Sequence, residues 1–104
     1  MSKNVPEGEA KVVEQSKTKT ARPSLFKVLM HNDDYTTMEF VVDVLERVFH
    51  KVPPEATRIM LNIHLKGVGL CGVYPFEIAE TKVDRVHAIA RTEGFPLKCS
   101  LEEA

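Results

Sequence analysis

From Pro23 onward the apolar positions fall into short runs whose period switches between that of a strand and that of a helix. Leu25 to Met30 reads as a short strand, with Phe26 and Val28 favouring extended backbone. Met38, Val41, Val42, Leu45, Val48 and Phe49 then keep a helical period to about His50, with Asp43, Glu46 and Arg47 on the other side. Pro53-Pro54 stops that helix and starts a second, because proline has no backbone donor yet is tolerated in a first turn. The second helix runs from about Pro54 to Lys66 on a stripe of Ala56, Ile59, Met60 and Ile63, and Gly67 is its C-cap. Residues Gly67 to Tyr74 are too glycine-rich for a helix and predict a buried strand. Pro75 opens a third helix, striped by Ala79, Val83, Val86, Ile89 and Ala90 and ended by Gly94. Leu97, Cys99 and Leu101 alternate with Lys98 and Ser100, the pattern of a half-buried strand.

The order β-α-α-β-α-β predicts an α+β fold. It is one small domain over residues 23–104, a three-stranded antiparallel sheet with three helices packed on one face. Residues 1–22 read differently. They contain no aromatics, Ser, Thr, Lys and Glu dominate, and five basic residues face three acidic ones. Such a segment buries too little apolar surface to offset its ordering entropy, so composition predicts a flexible N-terminal extension.

Between the first strand and the first helix lies His31 to Phe40, HNDDYTTMEF. Thr36 with Glu39 three residues later has the spacing of a capping box, which leaves Asn32, Asp33 and Asp34 just outside the cap. These three can form an ordinary Asx-rich turn, with the carboxylates favoured by the helix dipole. They also suit a cation held beside an apolar surface. On the second helix Met60, Ile63 and His64 share a face by their i, i+3, i+4 spacing. If the two helices pack as a hairpin, that face meets Met38 and Val41, giving a pocket with two Met walls and a rim of Asn, Asp and His. Methionine re-packs easily around different bulky groups.

The totals narrow the field. The chain has 104 residues, 43% hydrophobic and 28% charged, with a net charge of −1, so nothing calls for nucleic acid or an anionic membrane. No run approaches the roughly 20 apolar residues of a membrane-spanning helix, and the first residues lack a signal-peptide core, so a cytoplasmic protein is expected. Cys71 and Cys99 are far apart in sequence and read as small buried apolar residues rather than a disulfide. The His and Cys residues show no metal-ligand spacing, and no cofactor motif is visible.

Four separated blocks carry a resemblance: NDDYTTMEFVVDVLERVF, ATRIMLNIHLKGVGLCGVY, EIAETKV and PLKCSLEEA. In order, they resemble ClpS, the adaptor of the bacterial ClpA-ClpP protease. The resemblance implies a non-enzymatic, monomeric protein that recognises N-terminal Leu, Phe, Tyr or Trp and delivers the bearer to the unfoldase. It further implies that Asn32, Asp34 and His64 hydrogen-bond the substrate's α-amino group and first peptide unit, with Asp33 adding negative charge. Thr36, Met38, Val41, Met60, Ile63 and Leu97 would line the side-chain pocket, Met38 acting as a gate against β-branched residues. Glu77, Thr81 and Lys82 match the face that docks on the ClpA N-terminal domain, although by themselves they read as a solvated helix surface. Two departures stand out. Thr37 occupies a position often held by Pro, implying a slightly less rigid turn, and Ile63 one often held by Val, implying a narrower pocket.

Two other classes compete with this reading. His31, Asp33, Asp34 and His64 could form a small hydrolytic or metal site, but no nucleophile-base pair is visible. The element order also resembles the C-terminal domain of ribosomal protein L7/L12, so a module that simply binds a folded partner is open by fold alone.

Overall fold

The structure, a computed structural model, describes residues 23–104. The expectation for residues 1–22 lies outside them. Three strands and three helices follow in the expected order: β1 (Leu25–His31), α1 (Met38–Arg47), α2 (Pro53–Lys66), β2 (Val68–Pro75), α3 (Phe76–Glu93) and β3 (Lys98–Glu103). The sheet is ordered β2-β1-β3, with β1 central and antiparallel to both neighbours. Val28 and Met30 on one face of β1 are fully buried, and Val44, Leu45, Ile59, Ile63, Val86 and Ala90 from the helices close over them. Among the described residues no helix is long and apolar enough to cross a membrane.

A bulge sets which residues of β2 face that core. Val28 pairs with Gly72 but Leu29 pairs with Leu70, so Cys71 is the extra residue. Tyr74 therefore packs against the core while Val73 stays 41% exposed. Both cysteines are free and buried, as small apolar residues would be. A hydrogen bond to Cys99, together with burial, pushes the Cys71 thiol well above its ordinary value, so it stays protonated.

The end of α1 departs from the expectation. The helix stops at Arg47, not near His50. Val48 and Phe49 remain buried while the chain turns away, His50 takes a left-handed φ of 57°, and the Lys51 amide donates to the Leu45 carbonyl at 3.1 Å. A histidine supplies the conformation that glycine usually supplies, so the sequence carries no stop signal there.

Gly69 fixes the distance between α2 and the sheet. A Cβ at this buried position would lie 2.6 Å from Ile63 Cγ1 and 3.4 Å from the Ile59 carbonyl oxygen. Only a glycine lets the helix approach so closely. Gly69→Ala is expected to lower stability by about 1–3 kcal/mol through overpacking. Urea unfolding checks this, and an unchanged midpoint would mean that α2 can step back without loss.

Candidate functional site

At its far end β1 runs straight into the polar corner. His31 pairs with Val68, and the next amide, Asn32 N–H, donates to the Gly67 carbonyl at 2.9 Å. Gly67 is also the left-handed C-cap of α2 (φ 90°), its own amide donating to the Ile63 carbonyl. One residue thus ends the helix that carries Met60, Ile63 and His64 and anchors the loop that carries Asn32, Asp33 and Asp34.

Within the loop the hydrogen bonds correct the sequence reading. Thr36 is not the cap of α1. Thr37 is the N-cap, with extended backbone and a hydroxyl oxygen that accepts from the Phe40 amide at 3.1 Å. Thr36 is held one step earlier. Its hydroxyl donates to Asp33 Oδ2 at 2.7 Å, and its amide and that of Tyr35 donate to Asp33 Oδ1 at 2.7 and 2.8 Å. Asp33 is therefore the brace of an Asx turn, not a spare carboxylate. Burial raises its pKa, but the bonds from Thr36 and Tyr35 outweigh it and hold the group below the ordinary 3.8. Thr37 also supplies a cap that proline could not, so the departure at this position adds a hydrogen bond to the turn.

Asn32 and Asp34 are the acceptors left over. Both are exposed, and among the described residues neither side chain has an intramolecular hydrogen-bond partner. Below them is a cavity of about 240 Å³ lined by Asn32, Asp33, Asp34, Thr36, Met38, Val41, Met60, Ile63 and His64. Val41 and Ile63 form buried walls, and Met38 stands 46% exposed at the mouth. The volume is below the roughly 300–1,000 Å³ of ordinary ligand pockets, which fits one bulky side chain rather than a whole metabolite. The cavity thus pairs apolar walls with oxygen and imidazole acceptors at one edge.

Leu97 is placed differently. It is 3% exposed, belongs to the core beside Cys99, and keeps its small accessible edge toward a separate groove with His87, Arg91, Phe95, Pro96 and Lys98. Its inward register next to β3 explains this. Glu77, Thr81 and Lys82 lie on α3, which contributes nothing to the cavity; they line another groove with Val48, Ile78 and Arg85. The four residues of the hydrolytic alternative do not converge, since His31 Nε2 is bonded to Ser100 Oγ at 2.7 Å, across on β3. Among the described residues no group of three or more His, Cys, Asp or Glu is placed to hold a metal ion.

A family model described as "ATP-dependent Clp protease adaptor protein ClpS" matches residues 21–100. This chain belongs to the ClpS family. It is 61% identical over 102 residues to the ClpS adapter protein of Desulfatibacillum aliphaticivorans, covering 98% of each chain. It is 68% identical over 81 residues to that of Nitratidesulfovibrio vulgaris (strain DSM 19637 / Miyazaki F), covering 78% of this chain and 81% of the relative. Among solved structures it is similar to Agrobacterium tumefaciens ClpS2 bound to L-phenylalaninamide, with a TM-score of 0.77 and 38% identity over 80% of this chain and all of that one. ClpS proteins are adaptors of the Clp protease and not enzymes.

The Asp33 brace has a pH signature. Because its folded pKa is depressed, its contribution is complete above the unfolded carboxylate value and is lost as pH falls through the folded one, below 3.8. The corner is thus expected to keep its shape from neutral pH down to about pH 5. Asp33→Ala is expected to remove about 1–2 kcal/mol, as loss of a capping side chain does. Amide exchange at Tyr35 and Thr36 should rise in the variant, and unchanged protection there would show that the turn holds without the carboxylate.

Proposed function

We propose that this ClpS-family protein captures proteins by an N-terminal Leu, Phe, Tyr or Trp and hands them to the ClpA-ClpP protease. The observation that carries the reading is the cavity itself, with apolar walls sized for one side chain and acceptors of Asn32, Asp34 and His64 at its edge. A free α-ammonium has three donors, and bonds from a charged donor are the stronger kind. Asn32 Oδ1, an Asp34 carboxylate oxygen and a His64 ring nitrogen accept them. The negative charge of Asp33, braced in its turn, lies within the same lining and favours the cation. An internal residue offers a single peptide N–H and would leave acceptors unpaired at about 1–3 kcal/mol.

The side chain then enters between Met38, Val41, Met60 and Ile63, with Thr36 at the rim. Exposed Met38 is positioned to gate this entrance against β-branched residues. The ligand of the Agrobacterium relative supports the reading, because L-phenylalaninamide joins a free α-amino group, a bulky apolar side chain and an amide in place of the next peptide unit.

Delivery uses a separate surface. The groove holding Glu77, Thr81 and Lys82 on α3 meets the N-terminal domain of ClpA, so substrate and unfoldase are held together. Residues 23–104 form the adaptor core, and residues 1–22 take part in hand-over. One cavity takes one N-terminus, so the working unit is a monomer, acting in the cytoplasm.

Fluorescence anisotropy with short peptides tests recognition. Peptides beginning Leu, Phe, Tyr or Trp should bind and their N-acetylated forms should not; equal binding of both forms would sink the ammonium model. Asn32→Ala and Asp34→Ala should weaken all four peptides together by about tenfold, the loss of one charge-assisted bond, whereas Met38→Ala should admit Ile and Val. Deleting residues 1–22 should spare peptide binding and slow ClpA-ClpP degradation of a folded substrate. Undiminished degradation would leave the extension without a part in hand-over.

A further inference from the structure

We propose that the groove at the end of α3 is a second contact for the captured chain, taking an acidic side chain a few residues behind its N-terminus. This narrows the class of substrates and rests on the recognition proposed above. The groove has a volume of about 260 Å³ and is lined by His87, Arg91, Phe95, Pro96, Leu97 and Lys98. Its floor is apolar and well packed. Leu97 is buried, and the Phe95 ring lies against that of Phe40 with the centroids 4.7 Å apart.

Every polar side chain in the lining is a donor. Arg91 and Lys98 are exposed, and among the described residues neither has an ion-pair partner. His87 completes the set. The Cys99 amide donates to its Nε2 at 3.0 Å, so the ring proton is on Nδ1, a donor with no partner among the described residues. No carboxylate lines the groove, and the Ala90 and Arg91 carbonyls at the end of α3 already accept from the Gly94 and Phe95 amides. Two cations and an imidazole donor above an apolar floor match a carboxylate carried on an aliphatic stem.

The occupant follows from where the groove lies. Lys98 is directly opposite His31 in the pairing of β1 with β3, and His31 precedes Asn32. Strand spacing and one chain step therefore put the Cα atoms of Lys98 and Asn32 within roughly 10 Å. Phe40, whose ring packs on Phe95, belongs to the same turn of α1 as Met38 and Val41 of the cavity. Groove and cavity are neighbours, and the captured chain is the peptide already held beside both. An extended chain advances about 3.3 Å per residue, which brings its fourth to sixth residues within reach. Charge agrees with this order. Asp33 and Asp34 at the corner attract the N-terminus and repel a carboxylate close behind it, whereas the groove offers only positive charge.

The test is anisotropy with short, amidated Phe-initiated peptides, neutral apart from the N-terminus, in which a single Glu is moved along the chain. With the unaltered protein, Glu at one of the fourth to sixth residues should tighten binding by about fivefold, the upper range for an exposed charge pair, and high salt should shrink the gain. Arg91→Gln with Lys98→Gln should bind the neutral peptide as before and lose the gain. Arg91→Glu with Lys98→Glu should instead favour Lys over Glu at that position. A gain that is absent, or that survives in the double Gln variant, overturns the groove as a contact. An N-acetylated Glu peptide that binds as tightly as the free one overturns the assignment to the captured chain, since acidic peptides would then enter without an N-terminus in the cavity. A neutral Phe-initiated peptide that fails to bind the unaltered protein is a distinct result, which removes the recognition reading itself and this inference with it.

Discussion

The bond from the Asn32 amide to the Gly67 carbonyl joins two things that polar chemistry would otherwise keep apart, an acidic loop and the apolar face of a helix. Gly67 is left-handed, so α2 ends abruptly and its last carbonyls remain reachable. The loop supplies one donor, the Asn32 amide, to that end and is fixed by it. His64 and Ile63, in the last turn of α2, then stand beside Asn32, while Met38 and Val41 come from the helix that the same loop begins. Gly69 completes the constraint, since only without a Cβ does α2 lie close enough to the sheet for Ile63 to be a wall of the cavity. Two glycines and one backbone bond therefore decide where every lining side chain stands.

Three neighbouring polar residues divide the work unequally. Asp33 satisfies three donors of its own loop and keeps its charge through them. Among the described residues the side chains of Asn32 and Asp34 have no partner, at small expense because they are exposed. A ligand seated at these acceptors must supply donors of its own, and on the proposed reading an α-ammonium supplies three from one small group. Selectivity for a chain terminus then comes less from attraction than from the penalty on anything that leaves the acceptors bare. The apolar walls add a second, independent condition on the side chain.

Periodicity made the architecture legible. The order of elements, the helix stripes, the proline that opens α2 and the glycines that close α2 and α3 all appear in the chain as local signals. The convergence of Met38, Val41, Met60, Ile63 and His64 was legible for the same reason, since helix spacing fixes a shared face. What escaped has a different physical character. The cap at Thr37 rather than Thr36 depends on which of two adjacent threonines Asp33 claims, a competition that spacing leaves open. The end of α1 rests on a left-handed histidine, where no glycine marks the turn. The bulge at Cys71 arises from strand pairing across the sheet, which is non-local. The resemblance to ClpS located the candidate residues and set Asp33 apart from Asn32 and Asp34, yet it did not give the three bonds that make Asp33 the brace of the turn.

The same distinction applies on α3. Glu77, Thr81 and Lys82 look alike in sequence, three polar residues on an exposed helix. In the folded chain the Lys82 ammonium closes the end of α1, whose opposite end lends Met38 and Val41 to the cavity. α1 is thus secured at both ends by side chains from other segments, Lys82 at its C-terminus and the Asp33–Thr37 turn at its N-terminus. A helix of only ten residues is marginal alone in water, so its rigidity must come from such ties and from its buried face. On the proposed reading, a pocket that reads one residue needs fixed walls, and a docking face on α3 needs a fixed helix behind it. Tying α1 down at each end meets both needs while keeping the two surfaces on separate elements.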